Sequence, residues 1–215
     1  MQALRAQMNP HFIFNCLNSI NRFILKNNTE TASDYLTKFS RLIRMVLNNS
    51  QQNLITLREE LDCLELYIQL EQLRFNNFFR YKIKCADDVD AEYITIPPLL
   101  LQPFVENAIW HGLMHKEGRQ GMLSVDITQE KEILCCKITD NGIGRAKVSV
   151  LKNEVREKRK SIGLKLTEER IKMFNNGNGK ATLEFVDLED MNCNPAGTTA
   201  IIKIPVKNIS ETVQA

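Results

Sequence analysis

Glycine is absent from the first 75 residues of this chain, and proline occurs there once, at Pro10; all nine glycines fall between Gly112 and Gly197. A region without the residue that most readily takes positive φ has few means of turning tightly and favours long helices. The later region has those means and supports strands, loops and close backbone contacts. The chain is therefore divided into a helical region at 1–75, an α/β domain at 76–208 and a short tail at 209–215.

In the first region Ile13, Leu17, Ile20 and Ile24 recur at helical spacing and predict a buried stripe on a helix reaching about Lys26. Leu36, Phe39, Ile43 and Val46 predict a second helix after the polar NNTET turn, where Asn28, Thr29 or Thr31 can cap it. Thr56 and Glu59 have capping-box spacing, and Leu57, Leu61, Leu64 and Ile68 carry a third helix to about Phe75. The short first connection makes an antiparallel hairpin. Such a hairpin is too thin to bury both faces, so a homodimer is expected to complete its core.

Charge and cysteine usage narrow the function classes. Twenty-eight basic against 26 acidic residues leave a net charge of +2, short of the basic excess of a nucleic-acid surface. Cys16, Cys63, Cys85, Cys135, Cys136 and Cys193 form no CxxC pair and read as reduced, cytosolic core residues rather than a disulfide or zinc framework. No apolar run reaches the roughly 18 residues of a membrane span, and no signal peptide stands at Met1. The chain reads as the C-terminal piece of a longer polypeptide whose other part can hold membrane spans.

From Phe78 the segments FRYKIKC, GMLSVDIT, EILCCKIT, ATLEF and TAIIKIP are short and rich in β-branched residues, and they predict strands. Helices are expected at about Leu99–Met114, introduced by Pro97-Pro98, and at about Leu164–Phe174. The order predicts an α+β chain: a helical hairpin followed by a sandwich with helices on one face of a mixed sheet.

Three stretches of this region can act together. In PFVENAIWHGL, Asn107 and His111 stand four apart, and an asparagine oxygen is a hard, neutral ligand that Mg²⁺ accepts when phosphates and water complete its shell. In Asp140-Asn-Gly-Ile-Gly144 the aspartate can accept from an amine, while Gly142 and Gly144 let the backbone approach a ligand. Seven Lys or Arg against two Glu follow in residues 145–160, ending at Ser161-Ile-Gly-Leu164, a basic segment that would favour a phosphate tail. The third stretch is Gly197-Thr-Thr199, whose Thr198 and Thr199 hydroxyls can reach a bound base. Taken singly, each has a simpler reading: a surface amide, a histidine favoured by a helix C-terminus, an Asn-Gly hairpin turn, a solvated loop and a turn.

Their order resembles the N, G1 and G2 boxes of the GHKL ATPase superfamily over roughly residues 76–206; no GxxxxGK[ST] of the Walker type is present. The resemblance implies a Bergerat ATP-binding sandwich. On it, Asn107 holds Mg²⁺, Asp140 reads adenine, Gly142 and Gly144 shape the base pocket, and Gly163 opens the basic lid onto the triphosphate.

With the helices included, LRAQMNPHFIFNCLNSI (4–20), LREELDCLELYIQLEQLRF (57–75) and IPPLLLQPFVENAIWHG (96–112) resemble, in order, the LytS/YehU-type sensor histidine kinases. That resemblance implies autophosphorylation of His11 by ATP and transfer of the phosphoryl group to an aspartate of a response regulator. It also implies the cytoplasmic part of a bacterial sensor anchored in the inner membrane by spans outside this chain. Independently, His11, Asn15, Asn18 and Arg22 form a polar stripe beside the apolar one, so His11 is expected to face outward. A neutral imidazole is a competent nucleophile near neutral pH.

Two departures stand out. Trp110 occupies the place the family commonly gives to lysine, leaving the lid or His111 to supply phosphate-side charge, and SIGLKL is a thin second glycine box. Trp110 leans toward a rival reading, a non-catalytic dimeric signalling module with weak nucleotide binding, while intact His11, Asn107 and Asp140 argue for the kinase. A stand-alone ATPase would want a carboxylate four residues before Asn107, where Pro103 stands; Glu106 adjoins Asn107 but is expected to point elsewhere.

Overall fold

The computed structural model describes residues 10–116, 118, 121–145 and 181–205. Helices α1 (Pro10–Leu25) and α2 (Thr29–Asn49) form the expected antiparallel pair, with Asn28 capping α2 by accepting from the Thr31 N–H at 3.2 Å. Their buried sides differ from the expected stripes. In α1 the inward residues are Phe12, Cys16, Ile20 and Phe23, whereas Leu17 and Ile24 are 48% and 53% exposed. In α2 they are Ala32, Tyr35, Leu42 and Val46, with Leu36 exposed. The rings decide the rotation: Phe12 packs on Tyr67 at 5.0 Å, Phe23 on Tyr35 at 5.8 Å, and the Tyr35 hydroxyl donates to Cys16 Sγ at 3.4 Å. Aromatic side chains bury more area than aliphatic ones, so Phe12 and Phe23 take the inner seam and leave Leu17 and Ile24 outside, with Phe14 on the outer side as well.

Helix α3 (Leu57–Arg74) begins at the anticipated capping box, in which Thr56 Oγ1 accepts from the Glu59 N–H and Glu59 Oε2 accepts from the Thr56 N–H. Leu57, Leu61, Leu64 and Ile68 are all buried, as their spacing predicts. A two-residue strand just before it, β1 (Ile55–Thr56), pairs antiparallel with β3 (Thr95–Ile96), and the Leu57 N–H donates to the Ile94 carbonyl at 2.8 Å. Neither short strand has a sequence signal. The expected division at residue 75/76 falls at the C-terminal end of α3, a helix that packs against both α1 and the sheet.

The main sheet runs β2 (Phe79–Cys85), β4 (Gly121–Glu130), β5 (Ile133–Asp140), β7 (Pro195–Pro205) and β6 (Thr182–Glu189) in spatial order. Only the β2–β4 pair is parallel, so the sheet is mixed and the α+β class is the observed one. Alternation puts Leu123, Val125 and Ile127 of β4, Leu134, Cys136 and Ile138 of β5, and Ala200, Ile202 and Ile204 of β7 on one buried face. Helix α3 covers that face through Gln69, which donates to the Tyr81 hydroxyl, and α4 (Gln102–Asn107) covers it through Phe104 on Phe185 at 6.2 Å. The cysteines are unpaired, and Cys16, Cys63 and Cys136 are buried in the core. The helix expected at 164–174 lies outside the described residues.

Candidate functional site

The helix expected from Leu99 starts later and is not uniform. Leu99 has φ +56°, and α4 begins at Gln102, passes into a π turn at Ala108–Gly112 and ends in a 3₁₀ turn at Leu113–His115. The cause is Glu60 of α3, which is 1% exposed: its Oε2 accepts from the Leu99 N–H at 2.7 Å and its Oε1 from the Leu101 N–H at 2.9 Å. A buried carboxylate bonded to two backbone donors anchors the start of the helix on α3. Asn107 closes α4 and His111 sits in the π turn, so their four-residue spacing is not that of a plain α-helix; such turns recur at functional sites.

Asp140, the last residue of β5, continues the buried row of Leu134, Cys136 and Ile138 and is 4% exposed. Its Oδ1 accepts from the Gly142 N–H at 2.8 Å. Burial pushes its carboxyl up to about 6, while the bond from Gly142 and the Lys116 ammonium pull the other way. The chain beyond it makes no two-residue hairpin, because β5 takes β7 as its next neighbour. Instead Asn141-Gly142 turns back onto the π turn: the Ile143 N–H donates to the Gly112 carbonyl at 3.3 Å, and Lys116 Nζ donates to the Asn141 carbonyl at 2.7 Å. A Cβ on Gly112 would stand 2.3 Å from Asp140 Oδ1, and one on Gly142 would stand 2.2 Å from the Gly112 carbonyl carbon. Two bare backbones are needed for the helix and the DNGIG loop to close on each other.

Thr198 lies opposite Asp140 in the β5–β7 register and shares its face. Thr199 does not: it pairs with Thr139 on the other face, their hydroxyls 3.0 Å apart. Gly144 has φ +73°, and a Cβ there would stand 2.9 Å from Pro195 Cβ. Gly163 and residues 146–160 of the basic segment lie outside the described residues. Among the described residues no group of three or more His, Cys, Asp or Glu side chains stands close enough to hold a metal ion. A cation at Asn107 would take most of its oxygens from elsewhere, which fits Mg²⁺ arriving on nucleotide phosphates.

His11 is exposed on α1, as its stripe predicts, and Asn15 Nδ2 lies 3.0 Å from its Nδ1. Its ring also meets Trp110 of the π turn, with centroids 5.9 Å apart and planes at 58°. Trp110 in turn takes the edge of Phe75 at 5.4 Å and the Arg74 guanidinium at 4.6 Å. Arg74 pairs with the fully buried Glu71 at 3.3 Å. Burial pushes the Glu71 carboxyl up to about 7; Arg74 opposes that rise and Glu106 adds to it. Glu106 points inward and accepts from Gln102 Nε2 at 2.9 Å, and burial raises its carboxyl too.

Asp140, Gly142 and Thr198 thus meet where the π turn reaches the end of β5, Asn107 ends α4, His111 lies in the π turn, Gly144 packs on Pro195, and His11 reaches the same helical segment from α1. Sequence reasoning missed Gly112 as a contact point and Glu60 as an anchor. A glycine closing a helix reads first as a C-cap, and an acid in a first helical turn reads as dipole compensation, so neither had a distinguishing signal.

A family model described as histidine kinase matches residues 1–79. The sensor protein LytS of Staphylococcus haemolyticus is 31% identical over 215 residues, covering 99% of this chain and 35% of that protein. LytS of Bacillus subtilis is 37% identical over 144 residues, covering 67% of this chain and 24% of that protein. The chain spans roughly a quarter to a third of the length of these relatives. Among solved structures, the histidine kinase domain of the blue-light activated histidine kinase EL346 from Erythrobacter litoralis covers 92% of this chain and 96% of its own length, at a TM-score of 0.49 and 14% identity.

Proposed function

The chain belongs to the LytS type of sensor histidine kinase, and from that premise we propose that it is the kinase part of a two-component sensor, phosphorylating its own His11 from Mg²⁺-ATP. The phosphoryl group then passes to an aspartate of a response-regulator receiver domain. The carrying observation is that one short helical segment meets both halves of such a reaction: Trp110 touches His11, and Gly112 touches Asp140.

In this reading the end of β5 receives the adenine, whose amine donates to the acceptor-only Asp140 carboxylate, with Gly142 and Thr198 beside it. Asn107 would hold Mg²⁺ through its side-chain oxygen, the ion supplying charge neutralisation to the phosphates, and His111 would stand on the phosphate side. Phosphoryl transfer asks the protein chiefly for positioning and charge neutralisation, which suits a site built from backbone contacts and few titratable groups. Residues 1–75 serve dimerisation and phosphotransfer, with Phe14, Leu17 and Ile24 as the outward apolar side that a second copy would cover. No described helix is long and apolar enough to cross a membrane.

The test is incubation with Mg²⁺ and γ-labelled ATP. Acid-labile, base-stable label is expected on the wild type. It should be absent from His11→Gln, which still binds nucleotide, and absent from Asn107→Ala and Asp140→Ala, which do not. Label surviving in His11→Gln would overturn the assignment. A wild type that binds nucleotide weakly and takes no label would favour the non-catalytic signalling module, the reading to which the Trp110 departure leans.

A further inference from the structure

Resting on the kinase reading above, we propose that Trp110 is a positioning residue that presents His11 to the nucleotide of its own chain, so that autophosphorylation runs within one chain. The inference comes from which chain supplies each surface. His11 packs on Trp110 of the same chain, centroids 5.9 Å apart. Trp110 lies three residues after Asn107 and two before Gly112, whose missing Cβ lets it rest against Asp140. The acceptor ring and the donor site are therefore joined through one short helical segment.

The contact is braced from behind. Phe75 meets the indole edge-on at 5.4 Å, and Arg74 covers it at 4.6 Å while held by the buried Glu71. Helix α1 is pinned to α3 at two further points, Phe12 on Tyr67 and Arg22 Nη2 donating to the Arg74 carbonyl at 2.8 Å. A reaction between chains would require His11 to leave this braced surface and enter the partner's site. A family lysine at position 110 would offer a point charge there. An indole offers a flat face that orients an imidazole, with attraction that grows as the ring gains positive charge.

The step balances without a further reactant. With the Asn15 amide turned so that its oxygen accepts from Nδ1–H, the Nε2 lone pair attacks the γ-phosphorus and the N–P bond forms. The bond from that phosphorus to the β,γ-bridging oxygen breaks, ADP leaves with the electron pair, and the ring proton passes to solvent. Trp110 takes no part in the bonding.

Two chains carrying different tags, one His11→Gln and the other Asn107→Ala, are co-expressed and the doubly tagged complex is isolated and given γ-labelled ATP and Mg²⁺. Neither chain holds both halves of the reaction, so no label above that of either single variant is expected. Label on the Asn107→Ala chain overturns the proposal while leaving the kinase reading intact. An unlabelled wild type overturns both. If no mixed complex forms, labelling of a wild type that runs as a monomer supports the proposal. For Trp110 itself, Trp110→Ala is expected to lower the labelling rate at saturating ATP by about tenfold, with ATP affinity unchanged and Trp110→Phe restoring most of the rate. Equal losses in both variants, or a loss confined to ATP affinity, would overturn the positioning role.

Discussion

Gly112 meets Asp140 at a separation that admits no side chain: a Cβ on the glycine would stand 2.3 Å from Oδ1, on a carboxylate already held by the Gly142 N–H. The contact ties the π turn to the end of β5 and shapes the proposed adenine pocket. Gly112→Ala is expected to weaken ATP binding by more than about tenfold in calorimetry. Gly142→Ala drives its Cβ into the Gly112 backbone, which cannot rotate away as a side chain can, and is expected to lower the melting temperature further than Gly112→Ala does.

Asp140 also predicts a pH effect. Its folded value is raised from 3.8 to about 6, chiefly by burial, so the folded state holds the proton more tightly than the unfolded state. The stability this gives is fully present below about pH 4 and is lost as pH rises through about 6. Asp140→Asn removes the cost of burying the charge and is expected to stabilise the protein at pH 8 by on the order of 2 kcal/mol. The gain should vanish at pH 4 in chemical denaturation, even though ATP binding is lost at both.

Arg74 and Glu71 give the complementary case. Glu71 is buried and raised to about 7, and Arg74 is what favours its charged form. Below pH 6 the carboxyl is neutral and the pair contributes little. Above pH 8 removing the guanidinium leaves a buried charge without its partner. The destabilisation of Arg74→Ala should therefore grow from pH 6 to pH 8.5, reaching about 3 kcal/mol by urea titration.

Glu60 holds the Leu99 and Leu101 N–H groups inside the protein. Glu60→Ala strands two buried donors, each costing about 1–3 kcal/mol. Glu60→Gln keeps one acceptor and should lose about half as much. Because these bonds set where α4 begins, Glu60→Ala is expected to weaken ATP binding even at temperatures where the chain stays folded, which parallel binding and melting measurements would reveal.

Leu17 and Ile24 are 48% and 53% exposed on the outer side of α1. If a second copy covers them, Leu17→Glu with Ile24→Glu should convert the dimer to monomer in light scattering without lowering monomer stability, because neither side chain belongs to the core of its own chain. An unchanged mass would place the interface elsewhere.

How far the sequence could be read depends on the kind of signal. The capping box at Thr56–Glu59, the α3 stripe and the five long strands were legible because hydrogen-bond spacing and side-chain alternation are local. The α1 and α2 stripes were legible as helices but misread by about one residue in rotation. Aliphatic periodicity alone cannot weigh a Phe12–Tyr67 or Phe23–Tyr35 contact with a residue elsewhere in the chain. The DNGIG loop and the Asn107 helix were legible as a pair by their order. Their meeting through Gly112 was not, since nothing local distinguishes a packing glycine from a cap.

By itself the sequence determined the division into a glycine-free helical part and a glycine-bearing sheet part, the family, and the residue types offered at the site. These follow from backbone propensity, periodicity and motif order, all written along the chain. Only tertiary structure decided which face of each helix is buried, where α4 starts, that Thr198 and Thr199 part to opposite faces, and that His11 lies against Trp110. Each of those depends on contacts between residues distant in sequence, where fit and burial, not local preference, select the arrangement.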